Sequence, residues 1–341
     1  MIKEILCGKT PDDIYRLIST CGFNLFHAAL IAKNIYRKRI TDTSQFYGIP
    51  GQLKKILSTA ASPGIFLPVH SEVSTDNAIK YLFRNSEGKQ FETVYIPDKK
   101  RNTVCVSTQS GCRMGCPFCV TGKYGFYGNL SAGEIINQII GIPEAGKITH
   151  VVFMGMGEPM DNLKNVLKAC SIFNAEWGIG ISPRNVTVST VGITPGIKLF
   201  LEQSECNLAV SLFSPFADER IRVIPVERKY PVREIIDLLK TYPVRKKRRF
   251  SIAYVMIEKV NDTDMHLDEL KVMLGGSEIR VNLLPYHPGK HDPNTSSSNE
   301  RMLYFKHNLV ISGISASVRR SRGADISAAC GLLATGLKKE F

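Results

Sequence analysis

No run of residues in this chain approaches the roughly 20 apolar residues of a membrane span. Its start, Met-Ile-Lys-Glu-Ile-Leu-Cys-Gly-Lys-Thr-Pro-Asp-Asp, carries acids where a secretory signal would have an apolar core. There is no repeat of fixed period, and no low-complexity tract beyond Thr295-Ser-Ser-Ser298, so a solenoid is excluded. The nine cysteines come without an export signal. A disulfide-stapled secreted scaffold is therefore not expected, and a cytoplasmic protein that uses thiols for metal or catalysis is. Acidic residues are in deficit, 31 against 44 basic ones, for a net charge of +13. That balance argues for a polyanionic partner, most simply nucleic acid, although charge alone does not separate RNA from DNA. The basic residues gather at Arg220 and Arg222, at Arg228 and Lys229, and in Arg245-Lys246-Lys247-Arg248-Arg249. Any one of these groups taken singly also reads as a solvated loop.

What is present is a metal-binding signature with one ligand too few. Cys112-Arg-Met-Gly-Cys116-Pro-Phe-Cys119 places three thiols in a C-x₃-C-x₂-C run, and no fourth cysteine or histidine stands at zinc-ribbon distance. A closed zinc site wants four ligands, usually in two pairs. Three thiolates suit a [4Fe–4S] cube whose fourth iron stays open to a ligand. A zinc site completed by a distant residue is the alternative.

The 341 residues, 43% hydrophobic and 22% charged, can hold one large domain or a large one beside a small one. Residues 1–75 read as a small helical unit: Pro11-Asp-Asp opens one helix, Phe26 to Tyr36 is a second, and Gln52 to Ala60 a short basic third. This unit is a candidate RNA-docking domain or a packing cap. Residues 76–100 read as a hairpin linker, with strands at 78–84 and 91–96 around the turn Asn85-Ser-Glu-Gly88, and it carries Glu92. From 101 to 341 strand-like runs at 103–108, 150–155, 186–190, 207–212, 250–256, 279–284 and 314–318 alternate with helical stretches at 131–140, 161–173, 194–202, 232–241, 264–274 and 299–310. Such alternation predicts an α/β fold with a parallel sheet and crossover helices. Six or seven units are too few to close an eight-fold barrel, so a partial, open (β/α)₆-type barrel is expected.

In barrels of this kind chemistry sits where strands end, and the unusual residues fall there. The cysteine loop follows the first run, Gly155-Met-Gly157-Glu158-Pro159 the second; Ser189 ends the third and Ser211 the fourth, His287 follows the sixth, and Arg319 to Cys330 follows the last. Gly155 and Gly157 let backbone approach a ligand, and Glu158 can meet a ligand amine or simply cap a helix. Ser189 and Ser211 can bond a carboxylate or a ribose, or serve as turn residues. Cys7, Cys21, Cys170 and Cys206 read as buried small hydrophobes. Cys330 differs, because small residues around it leave room for a substrate. Glu92 would ordinarily be a solvent-facing strand acid.

Taken together, these segments resemble the RlmN/Cfr family of radical-SAM RNA methyltransferases, and within it the adenine-C2 branch. The segments are Phe-Glu92-Thr-Val-Tyr-Ile-Pro, the stretch from Val-Ser-Thr-Gln-Ser-Gly through the three cysteines to Val-Thr-Gly-Lys, Met-Gly-Met-Gly157-Glu158-Pro, Val-Ser189-Thr, Ala-Val-Ser211-Leu, and Arg-Gly-Ala-Asp-Ile-Ser-Ala-Ala-Cys330-Gly. The resemblance implies a [4Fe–4S] cluster on Cys112, Cys116 and Cys119, and S-adenosylmethionine held by Gly157, Glu158, Ser189, the Ser211-Leu212-Phe213 segment and His287. It implies that Cys330 carries the methyl group, that Cys105 resolves the protein–RNA adduct and ends in a disulfide with Cys330, and that Glu92 accepts a proton. The implied substrates are 23S rRNA and tRNA, and the implied partner is an electron donor of flavodoxin or ferredoxin type. Nothing in the sequence demands more than a monomer. Two departures stand out: Phe213 replaces a histidine frequent in the family, and His287 replaces an asparagine. The nearest rival is methylation at adenine C8, which shares every cysteine. A glycyl-radical activase would need the cluster but neither Cys105 nor Cys330, and a zinc-stabilised RNA-binding module would need no catalytic cysteine.

Overall fold

A computed structural model describes residues 3–243, 248–289 and 292–333. Arg245, Lys246 and Lys247 of the basic run lie outside the described residues. The chain opens with β1 (Glu4–Ile5), α1 (Pro11–Ile18), α2 (Leu25–Tyr36), α3 (Gly51–Ala60) and β2 (Ala61–Ser62). β3 (His70–Val73), β4 (Ile79–Arg84) and β5 (Gln90–Ile96) follow as an antiparallel meander. Next come β6 (Thr103–Cys105), β7 (Gln109–Gly111), α4 (Val120–Tyr124), β8 (Phe126–Asn129), α5 (Ala132–Ile140), β9 (His150–Phe153), α6 (Leu163–Asn174), β10 (Val186–Thr190), α7 (Thr194–Gln203) and β11 (Asn207–Ser211). The last elements are α8 (Ala217–Val223), α9 (Val232–Thr241), β12 (Phe250–Met256), α10 (Asp264–Leu274), β13 (Arg280–Pro285), α11 (Asn299–Ile311) and β14 (Ala316–Val318).

Seven of these strands, β6 and β9 to β14, pair in parallel in chain order, with a helical crossover in each of the six connections between them. Parallel strands covered on both faces need apolar residues on both, and β11 meets that demand, with Asn207, Leu208, Ala209 and Val210 all buried. The barrel does not close. β14 forms one edge, while on the other side β5 pairs antiparallel with β6 (Val94 opposite Cys105), so the ten-stranded sheet runs β14-β13-β12-β11-β10-β9-β6-β5-β4-β3. The segment 76–100 is therefore part of the sheet rather than a spacer beside it. One continuous core joins Ile14, Ile31 and Leu53 of the N-terminal helices, Phe83 and Phe91 of the meander, and Val151, Val188 and Val210 of the barrel.

Two basic residues counted toward a polyanion-binding surface are interior. Arg220 is fully buried, and Arg248 is buried with its Nη1 donating to the Leu201 carbonyl at 3.0 Å. A guanidinium can be desolvated when carbonyls and carboxylates meet its donors. Arg222, Arg228, Lys229 and Arg249 are exposed. Cys21 is exposed too, unlike Cys7, Cys170 and Cys206. Among the described residues no helix is long and apolar enough to cross a membrane.

Candidate active site

β7 and β8 form a small antiparallel pair that pinches the neck of the cysteine loop, and the Cys112 N–H donates to the Gly125 carbonyl across it at 2.8 Å. Gly111 sits at this neck with φ +77°, where a Cβ would collide with the Gly125 carbonyl. Cys119 occupies the N-cap of α4. Cys112, Cys116 and Cys119 line one wall of an open cavity of about 1170 Å³, including space continuous with solvent. Burial, with some mutual repulsion, pushes the Cys112 and Cys116 thiols up to about 12. They would ionise only with a cationic centre to draw off their protons. Among the described residues no three His, Cys, Asp or Glu side chains converge on a single metal ion. Three thiols without a fourth ligand suit a cube with an open iron and leave a tetrahedral zinc site one ligand short.

The opposite wall is the loop after β9. Gly155 and Gly157 are both needed there: a Cβ on Gly155 would stand 2.7 Å from Ser107 Oγ, and Gly157 has φ +94° with its would-be Cβ 2.5 Å from Gln109 Cβ. Glu158 is buried. Its Oε1 accepts the Met160 N–H at 2.9 Å, and its Oε2 accepts the Val191 N–H at 2.9 Å. It thus caps the short 3₁₀ turn Pro159–Asn162 and still lines the cavity, so the two roles open in the sequence coincide. Burial, outweighing bonds from Thr190, Val191 and Met160, raises its carboxyl to about 7. A ligand amine brought alongside would favour the ionised form.

Ser189, Ser211 and Phe213 also face the cavity. Phe213 holds φ +65°, in the left-handed region, and its ring stacks on Phe118 of the cysteine loop (centroids 5.7 Å apart, planes 16° apart). Its carbonyl accepts from Asn261 Nδ2 at 2.7 Å. The side chain in the frequent histidine position thus braces the aromatic residue before Cys119. Phe213→Ala is expected to cost about 3 kcal/mol of stability by denaturant unfolding and to loosen cluster retention; a loss below about 1 kcal/mol would mean the stack is incidental. Leu212 does not line the cavity and packs in the main core. His287 does not line it either. Its neighbour Tyr286 does, while His287 is half-buried with Nε2 unbonded and its pKa lowered by desolvation.

Cys330 is solvent-accessible, faces the same cavity as Cys112, Cys116 and Cys119, and its pKa is raised by desolvation and by repulsion from Cys119. The segment carrying it is tied down at both ends. The Gly331 carbonyl accepts the Val120 N–H at 2.8 Å, and the Leu333 carbonyl accepts from Thr121 Oγ1, both on α4. Upstream, Asp325 accepts from Ser74 Oγ at 2.6 Å and from the Thr75 N–H at 2.9 Å. The Gly323 N–H donates to Asp76 Oδ2 at 2.9 Å, and Lys80 Nζ donates to the Ile326 carbonyl at 2.6 Å. The β3–β4 turn therefore straps the Cys330 segment to the sheet. Sequence reading assigned none of these strap residues, although Asp325 lies inside the quoted Arg-Gly-Ala-Asp motif. On the role that the resemblance implies for Cys330, Asp325→Ala should lower kcat for methylation about ten- to hundredfold while leaving the affinity for S-adenosylmethionine unchanged; an unchanged kcat would remove the strap as a positioning device. The bonds from Ser74 and Thr75 hold the Asp325 carboxyl down at about 2. A depressed acid contributes above its unfolded pKa and loses that contribution as pH falls through the folded one. The strap should thus stay intact down to about pH 4 and fail only near pH 2.

Cys105 ends β6 and is buried. Desolvation raises its pKa, and so does repulsion from Cys330, which places the two thiols within charge-interaction range. No disulfide joins them: all nine cysteines are free thiols. Glu92 is buried on β5. Val94 lies opposite Cys105, so Glu92, two residues earlier, shares that sheet face as a diagonal neighbour. Its carbonyl accepts from Ser107 Oγ, which in turn accepts the Met156 N–H at 2.8 Å. Glu92 is thereby linked to the glycine-rich loop, and it is not the solvent-facing acid its strand pattern suggests.

Comparison with known proteins agrees with this geometry. Residues 106–270 match the model of the radical SAM superfamily. A protein of Parabacteroides distasonis named "Probable dual-specificity RNA methyltransferase RlmN" is 42% identical, across 99% of each chain. One of the same name from Caldicellulosiruptor saccharolyticus is 37% identical across 97% of each. The crystal structure of a radical SAM methyltransferase from Sphaerobacter thermophilus superposes with a TM-score of 0.89 at 36% identity, covering 96% of this chain and 98% of that one. With such identity along nearly the whole of both sequences, this chain belongs to the RlmN family of dual-specificity RNA methyltransferases, a radical-SAM family whose cofactors are a [4Fe–4S] cluster and S-adenosylmethionine.

Proposed function

We propose that this enzyme methylates C2 of adenosine in 23S rRNA and in tRNA, with Cys330 carrying the methyl group to the base. One observation carries the reading: Cys330 faces the same cavity as Cys112, Cys116 and Cys119, with the buried Cys105 close enough to feel its charge. Adenine C2 is not nucleophilic, so direct polar transfer of a methyl cation serves it poorly, and a carrier on the protein answers that difficulty. When bound, the cluster and S-adenosylmethionine supply the electron and the 5′-deoxyadenosyl radical that activate the carried methyl group. The Cys330 thiol must first shed its proton to accept that group. Cys112, Cys116 and Cys119 hold the cluster; Gly157, Glu158, Ser189 and Ser211 orient S-adenosylmethionine. The Cys105 thiolate then attacks the Cys330 sulfur of the thioether, and the disulfide forms as the sulfur–carbon bond breaks. That bond's electron pair leaves on the carbon, which takes up a proton to become the 2-methyl group. A Cys105–Cys330 disulfide requires Cα atoms within about 7 Å. Glu92, on the sheet face of Cys105, takes the C2 proton. The target adenosine must leave its stack to enter the cavity. Arg222, Arg228, Lys229 and Arg249 remain exposed for phosphate contact. The enzyme works in the cytoplasm, as a monomer, reduced by a flavodoxin- or ferredoxin-type donor.

The test incubates anaerobically reconstituted protein with unmodified 23S rRNA fragment or tRNA, S-adenosylmethionine and a reductant, and identifies the methylated nucleosides by mass spectrometry. 2-Methyladenosine is expected. 8-Methyladenosine would move the chain to the C8 branch, and no methylated adenosine with an intact cluster would overturn the reading.

A further inference from the structure

Two cavity-lining segments take their backbone shape from one side chain outside the cavity. Arg220, on α8, is 0% exposed. Its Nε donates to the Leu212 carbonyl at 2.9 Å and its Nη2 to the Ser211 carbonyl at 3.1 Å. The same Nη2 donates to the Val191 carbonyl, and Nη1 to Glu227. Glu227, itself buried, also accepts the Val232 N–H at the start of α9 at 3.0 Å. The guanidinium thus spans the end of β10 and the end of β11, the two strand ends that present Ser189 and Ser211 to the cavity.

The neighbours make room for this. Gly192, after Val191, has φ +113°, and a Cβ there would stand 2.8 Å from Ile235 Cδ1 and 3.6 Å from Arg220 Nη2. Asn261 holds the next carbonyl, that of Phe213. Lysine can offer one point charge to such a set, whereas the planar fork of arginine meets three carbonyls and a carboxylate at once. Packing alone does not require this: a buried ion pair can usually be replaced by apolar residues of similar volume at little cost in stability.

We infer that the Arg220–Glu227 pair is a positioning device for S-adenosylmethionine, fixing the carbonyls of Val191, Ser211 and Leu212 so that Ser189 and Ser211 face the cofactor in one arrangement. The inference rests on S-adenosylmethionine occupying this cavity, and not on the nature of the RNA product.

The experiment compares anaerobically reconstituted wild type, Arg220→Lys and the double variant Arg220→Met/Glu227→Met. Equilibrium binding of S-adenosylmethionine is measured without RNA, alongside melting temperature, iron content and the midpoint potential of the cluster. Arg220 lies within charge-interaction range of Cys116. Arg220→Lys keeps a cation there, so the potential should not move, while the dissociation constant for S-adenosylmethionine rises about tenfold through lost bonds to the loops. The folded double variant should lose at least as much. Wild-type affinity in Arg220→Lys, or in a folded double variant, overturns the inference; if the double variant does not fold, Arg220→Lys decides. A shifted potential with unchanged affinity would assign the pair to the cluster and overturn it equally. RNA methylation is not among the readouts, so failure of the methyltransferase reading would leave this result standing.

Discussion

Cys330→Ala is expected to abolish RNA methylation, by about 10⁴-fold or more, as removal of an obligate nucleophile does. The other eight cysteines offer no substitute: Cys112, Cys116 and Cys119 are the proposed cluster ligands, Cys105 is buried on β6, and Cys7, Cys21, Cys170 and Cys206 do not line the cavity. The same variant should keep its cluster, because Cys330 lies outside the proposed ligand set of Cys112, Cys116 and Cys119, and it should still cleave S-adenosylmethionine slowly. Loss of methylation with retained cleavage would separate the carrier role from any part in cluster assembly. A Cys330→Ala enzyme that still turned over would refute the carrier.

The second large effect falls on Cys105. Cys105→Ala should stop the reaction one step later, after Cys330 has bonded to the base and before release. The expected product is a covalent protein–RNA species approaching one RNA per enzyme, stable on a denaturing gel, with a nucleoside attached to the Cys330 peptide. The burial that raises the Cys105 pKa also keeps its thiol protonated and quiet until a basic partner accepts the proton. Sustained turnover by Cys105→Ala without an adduct would remove it as the resolving residue.

Much of this was legible in the sequence because the relevant signals are local. Each of the seven parallel strands and six crossover helices carries its own apolar run or helical period, and the cysteine loop and the Gly-x-Gly-Glu-Pro loop announce themselves by spacing. β7 and β8 were not legible: Gln-Ser-Gly and Phe-Tyr-Gly-Asn are short, polar and glycine-bearing, and they pair only because the intervening loop brings them together. The docking of β5 on β6, which makes the meander part of the barrel sheet, joins segments by tertiary pairing that no single-strand pattern encodes. Arg220 was misread as a surface charge because composition counts charges without their partners. Its acceptors are backbone carbonyls, which every residue possesses and no sequence marks. The same holds for the strap on Cys330, where an Asp and a Ser are ordinary turn residues until 251 positions of chain bring Asp325 back to Ser74.

That separation has a kinetic consequence. Hydrogen bonds between such distant positions repay their loop-closure entropy only once the chain between them is compact. The cysteine loop, its neck and the glycine-rich loop are contacts of shorter range and can form while the C-terminal third is still being made. Cys330, the proposed methyl carrier, would then be docked among the last events of folding, over a cysteine loop already in place. Pulse-labelling of amide protons during refolding should find Thr75 and Gly323 gaining protection after Val188 and Val210.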